Sequence, residues 1–270
     1  MHSVLLAVCF ITIAAAQDDS AIHFNTMSRE VIEKRLAAYT TKNAGREPAV
    51  RRLFEDAGCK DANLTEQKVR GAKAPNLICT RPGETESVIL VGAHFDLAGP
   101  GHGVVDNWSG ASLLPSLYEG LIDRPRKHTF IFVAFTEEEA GLIGSKFYAS
   151  KLGKEKALVK AMINLDSLGL SETKVWSSHS DKTLLDWMGV LAKAMKLPVT
   201  GVNMEKVGST DSESFRLKKI PVLSVHSITQ QTFGILHTSR DNIEAIQMDE
   251  YYRTYRLVLA YLALLDQKLD

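Results

Sequence analysis

Two periods of apolar and polar positions alternate along the chain. Near-continuous apolar runs at 88–93, 130–135, 161–165 and 221–225 are short enough for strands, and helically spaced segments lie between them. Strands buried on both faces read this way, so the alternation predicts a mostly parallel sheet with helices on both sides, a three-layer α/β/α sandwich. Residues 30–39 and 49–57 carry helical spacing, and strand-like stretches at 67–70 and 76–81 follow. These predict an opening helical layer and an edge hairpin. Residues 182–195 show an apolar stripe at i, i+3 and i+4, and 251–265 read as a long, largely apolar closing helix. Pro115 falls inside the helix expected after Ser109, where a proline usually bends the axis.

The first residues, MHSVLLAVCFITIAAAQDDS, run from a weakly charged start through an apolar stretch to an A-x-A pattern before Gln17. This predicts an export signal at 1–16, cut after Ala16, and one mature domain over 17–270, secreted or periplasmic. No later segment approaches the roughly 20 uninterrupted apolar residues of a membrane span. Cleavage removes Cys9 and leaves Cys59 and Cys79, which can pair in an oxidising compartment. Asn63-Leu64-Thr65 is a glycan acceptor pattern in a polar stretch.

With 270 residues, 45% apolar and 24% charged, the chain can build one sizeable core. Lys+Arg and Asp+Glu both total 32, so there is neither a basic field to draw nucleic acid nor an acidic excess pointing to disorder.

The chemistry lies at the strand ends, because an open α/β sheet binds its ligands beyond the carboxyl edge. His94 closes the run beginning at Val88, and Asp96 two residues on points to the same side, where it can accept the other ring N–H and fix the tautomer. A glycine-rich turn at 99–103 containing His102 delivers Asp106 to a helix start. Its two oxygens could bridge two cations, or it could cap the helix. Glu137, Glu138 and Glu139 follow the run at 130–135, and adjacent carboxylates repel unless a metal or a shared proton compensates them. Glu138 is expected as a ligand and Glu137 as general base, since a base must stand beside the attacking water without being used up as a ligand. Glu139 is expected as a solvated or helix-start charge. Asp166 ends the run at 161–165, and His237 adds a second imidazole with Asp241 as a possible partner. Such ligands suit zinc and also accept cobalt or manganese.

Five strings in order, GAHFD at 92–96, VDNWSG at 105–110, TEEEAGLIGS at 136–145, NLDSLG at 164–169 and HTSRD at 237–241, resemble the M28 family of zinc metallopeptidases. The likeness spans nearly all the mature chain from about Gly92. It implies two zinc ions bridged by Asp106, with His94 and Asp166 completing one and Glu138 and His237 the other. Glu137 would take the proton of the attacking water and pass it to the leaving amine. The activity implied is that of an exported aminopeptidase on peptides with a free N-terminus, and the family often has a cis peptide after the bridging aspartate, here Asp106-Asn107. The segment 208–215 resembles the family's loop and helix below the substrate pocket, which makes Asp211 an N-cap or a substrate-facing residue. Trp108 could wall the pocket or pack beneath the loop. Some relatives steady the oxyanion with a tyrosine near the last ligand, and 233–236 contains none. A glutaminyl cyclase, similar in fold but working with one zinc, is the alternative, and TEEEAGLIGS with five ligands weighs against it. A non-catalytic binding module would have lost ligands, and all five are present.

Overall fold

A computed structural model describes residues 21–203 and 208–270; the expected export signal lies outside them. In chain order the helices are α1 Arg29–Leu36, α2 Asn43–Asp56, α3 Ser109–Leu121, α4 Ile143–Lys151, α5 Lys182–Met195, α6 Ser212–Arg216 and α7 Met248–Lys268. The strands are β1 Leu64–Gln67, β2 Asn76–Arg81, β3 Val88–His94, β4 Thr129–Phe135, β5 Val159–Leu165, β6 Lys174–Val175, β7 Thr200–Gly201 and β8 Val222–His226. They form one sheet in the order β1-β2-β4-β3-β5-β8-β6-β7. The middle pairs, β4 with β3, β3 with β5 and β5 with β8, are parallel, while β1 and β2 form an antiparallel edge.

Both faces of the central strands are covered, which explains why their sequences are apolar without alternation. On one face Ile89, Val91, Phe130, Phe132, Ala161 and Ile163 pack in the same buried cluster as residues of α1, α2, α3, α5 and α7. On the other, Leu90, Val133, Phe135 and Met162 meet Tyr148 of α4 and Phe215 of α6. The three layers expected from the pattern are therefore present. α5 begins where Asp181 accepts the N–H groups of Thr183 at 2.9 Å and Leu184 at 3.1 Å, a side-chain cap for otherwise unpaired donors. Pro115 lies buried within α3, which continues through it to Leu121. Cys59 and Cys79 form a disulfide that ties the segment after α2 to β2. The first edge strand is Leu64–Gln67 rather than 67–70, and the two-residue strands β6 and β7 carry no sequence pattern long enough to read.

Candidate active site

Parallel strands bring the chemistry to one edge. β3 and β4 run level, with His94 opposite Phe135, so His94 and the glutamates just past β4 leave the sheet side by side. Asp166 follows β5 and is fixed by its N–H, which donates to the Val225 carbonyl on β8 at 3.0 Å. The remaining residues arrive on loops. The glycine turn lies against the His237 segment so closely that a Cβ on Gly99 (φ +72) would stand 2.4 Å from the His237 carbonyl oxygen. Only glycine tolerates both that approach and that φ. Asp241 holds the turn before α3: its carboxylate accepts the N–H of Val105 at 2.7 Å and of Asp106 at 3.1 Å. The Asp106–Asn107 peptide is cis, as the family likeness implies.

The two oxygens of Asp106 face different imidazoles. Oδ1 is 3.2 Å from His94 Nε2, and Oδ2 is 3.1 Å from His237 Nε2. Asp166 Oδ1 lies 3.6 Å from His94 Nε2, and Glu139 Oε2 lies 3.0 Å from His237 Nε2. Two ligand atoms each ~2.0–2.1 Å from one tetrahedral zinc stand roughly 3.3 Å apart. These spacings therefore fit two ions that share Asp106. Glu138 Oε2 is farther off, 4.0 Å from His94 Nε2. Thr210, which the sequence did not single out, donates its hydroxyl to Asp166 Oδ2 at 2.7 Å and leaves Oδ1 toward His94. Asp96 Oδ1 lies 3.5 Å from His94 Nδ1, and its carboxylate accepts the N–H of Glu138 at 3.0 Å and of Glu139 at 3.1 Å. It orients the acidic turn as well as facing the imidazole.

So many carboxylates in one place perturb one another. Burial, with Asp211, Asp166 and Asp106 nearby, raises Glu138 to about 10 against the pull of His94. Burial and Asp106 raise Glu139 to about 7, and burial raises Asp211 to about 7. Burial alone would lower His94, but Glu138, Asp106 and Asp166 more than offset it and raise the imidazole well above its ordinary value. The hydrogen bond to Asp106 raises His237 to about 9. A cluster that retains protons against its ordinary chemistry is one that bound cations would relieve.

The three glutamates are arranged differently from the sequence expectation. The carboxylate grouped with Asp106 and His237 is Glu139, where Glu138 was expected, while Glu138 stands with His94 and Asp166. Glu137, with a positive φ of 51°, accepts the backbone N–H of Lys73 at 3.3 Å and belongs to neither group. A run of three glutamates has no internal phase, so the sequence could not tell which of them turn toward the imidazoles. Trp108 and Asp211 are both fully buried. The Trp108 indole N–H donates to the Arg35 carbonyl, and Asp211 sits at the start of α6 without a side-chain cap bond. His102 stacks on Tyr39 and stays outside the cluster, as a loop residue.

A cavity of about 340 Å³ opens beside these groups. Glu138, Glu139, Asp106, Asp166 and His237 line its polar end, and Trp176, Ile228, Phe233 and Leu236 supply apolar wall. No lysine or arginine lines it among the described residues.

The profile of Peptidase family M28 matches residues 76–262. The chain belongs to peptidase family M28. Leucine aminopeptidase 1 of Ajellomyces capsulatus is 25% identical to this M28 peptidase over 280 residues, covering 88% of the chain and 72% of the relative. The structure of BSAP, a zinc aminopeptidase from Bacillus subtilis, superposes with a TM-score of 0.64 at 25% identity, over 70% of this M28 peptidase and 49% of that chain. An Acidobacteriales bacterium glutaminyl cyclase shares the fold, with a TM-score of 0.72 at 19% identity over 94% of this chain and 99% of that one. Peptide hydrolysis with zinc is the chemistry that goes with the family. Among the described residues no helix is long and apolar enough to cross a membrane.

Proposed function

We propose that this M28 peptidase is an exported dinuclear zinc aminopeptidase, a single catalytic domain over 17–270 that removes the N-terminal residue from peptides. The observation that carries the reading is the division of Asp106, with one oxygen toward His94 and the other toward His237. His94, Asp106 and Asp166 would hold one zinc, and Asp106, Glu139 and His237 the other. Such a pair supplies Lewis acidity, polarising the scissile carbonyl and making the attacking water acidic.

The chain's own residues do the rest. Glu138 lines the cavity and, at 4.0 Å, stands farther from His94 Nε2 than Asp106 or Asp166 does. It is the general base that takes the water's proton and passes it to the leaving amine, the role the sequence had given to Glu137. Neighbouring cations would lower its raised pKa toward the working range of a base. The acidic end of the cavity receives the substrate's free α-amine, and Trp176, Ile228, Phe233 and Leu236 enclose an apolar first side chain. With no lysine or arginine among the described lining residues to meet a terminal carboxylate, a carboxypeptidase is disfavoured. The disulfide Cys59–Cys79 supports export, since such bonds persist in oxidising compartments.

A glutaminyl cyclase is the second reading, favoured by the near end-to-end match to the bacterial cyclase. It would use one zinc and leave one of the two ligand groups without a cation. Mass spectrometry of three peptides incubated with the zinc-loaded protein separates the readings: one beginning with Leu, one with Gln and one with a blocked amine. Loss of N-terminal residues from the first two only is expected; loss of ammonia from the Gln peptide alone would instead establish the cyclase.

A further inference from the structure

We propose that Arg46 is a positioning residue that sets the affinity of the acidic cluster for its cations. This rests on the two-metal reading above. Arg46 belongs to α2, outside the matched strings, and its side chain is fully buried. Its guanidinium reaches across to two of the segments that carry the ligands. Nη1 donates to the Phe95 carbonyl at 3.0 Å, between His94 and Asp96 in sequence. Nη2 donates to the Gly103 carbonyl at 2.9 Å and to that of His102, just ahead of Asp106. Nε closes on Thr40 at 3.1 Å, and the group lies 5.5 Å from the centre of the Trp108 ring.

One rigid fork therefore ties the end of β3 to the turn that presents Asp106. Asp241 grips the same turn from its amide side. Asp106 is thus clamped between a cation that takes the preceding carbonyls and an anion that takes its amides. Among the described residues no carboxylate comes within ion-pairing distance of Arg46, although Asp241, Asp96, Asp106 and Glu139 act on it at longer range. A buried charge without a direct partner is costly unless it is hydrogen-bonded, and here four of the five guanidinium N–H donors meet backbone carbonyls. Lysine could not reproduce the pattern, because an ammonium is a point donor without the planar fork.

The test compares two buried arginines. Arg126 also donates to backbone carbonyls, those of Leu121 and His23, and has no part in the ligand loops. Zinc affinity of the folded chain is measured by competition with a chromophoric chelator for Arg46→Lys and Arg126→Lys, with melting temperature read in parallel. Outer groups that hold metal ligands typically contribute about 10–100-fold to affinity. Arg46→Lys should lose affinity in that range, while Arg126→Lys should lose thermal stability with zinc affinity unchanged. Equal zinc affinity in Arg46→Lys and the parent, or an equal loss in both variants, would overturn the proposal. Should Arg46→Lys not fold, Asn43→Ala takes its place. Asn43 is an exposed α2 residue whose side chain brackets Leu97 through both its N–H and its carbonyl, so it belongs to the same tether. Weaker zinc binding in that variant is expected, and unchanged binding overturns the proposal. Failure of the two-metal reading itself would look different: the parent would then bind fewer than two zinc ions.

Discussion

Replacing Glu138 with glutamine removes a proton acceptor and little else. The amide has nearly the same shape, and the Glu138 backbone N–H still has Asp96 Oδ1 as acceptor at 3.0 Å. A positioned general base contributes about 10²–10⁴-fold to rate. At about 1.36 kcal/mol per tenfold, that is roughly 3–5 kcal/mol of transition-state stabilisation. No neighbour can easily take over. Asp166 accepts the Thr210 hydroxyl and faces His94, while Asp106 and Glu139 face the imidazoles. Turnover of a leucine anilide by Glu138→Gln should therefore fall by about 10³-fold or more, with zinc content by elemental mass spectrometry unchanged. Glu137→Gln is the internal control. Its carboxylate accepts a backbone N–H at 3.3 Å and does not line the cavity, so turnover should stay close to the parent's. If Glu138→Gln kept activity within tenfold of the parent, or Glu137→Gln lost as much as Glu138→Gln, the assignment of the base would be wrong.

Glu139→Gln and His237→Ala should each lower zinc content toward one ion per chain, read by elemental analysis after gel filtration; two ions retained in either variant would contradict their grouping with Asp106. Metal-free protein should lose stability as pH rises. Glu138 and His237 hold their protons more tightly when folded, to about 10 and about 9 against ordinary values of 4.5 and 6.5, so the folded state binds the excess protons and is disfavoured as they leave. Its melting temperature should fall between pH 6.5 and 9, and zinc should flatten that slope; a metal-free protein whose melting temperature is flat or rising over this window would refute it. The opposing group, His226, lowered to about 4 by burial, acts only below that window. Replacing Cys59 and Cys79 together by alanine opens a loop of sequence separation 20 and should destabilise by about 3 kcal/mol, measurable by denaturant titration.

The layers and most of the site were legible because each rests on a local pattern. Strands buried on both faces print continuous apolar runs, and β2 and α5 fall where their residues predict them, at Asn76–Arg81 and Lys182–Met195. His94, Asp106, Asp166 and His237 were legible because each follows a recognisable string. What stayed hidden depends on contacts remote in sequence. The placement of Glu138 and Glu139 depends on Asp96, whose carboxylate takes the amides of both. The cavity wall at Trp176, Ile228 and Phe233 comes from separate segments that only the fold assembles. Arg46 sits on a helix whose sequence gives no hint that its guanidinium spans two distant loops.

A pair of ions sharing Asp106, with Glu138 left free, would be seen by anomalous diffraction at the zinc edge from crystals of the loaded protein. Two peaks are predicted, one among His94, Asp106 and Asp166 and one among Asp106, Glu139 and His237, with Glu138 outside ligand distance of both. A single peak, or a peak ligated by Glu138 in place of Glu139, would contradict it.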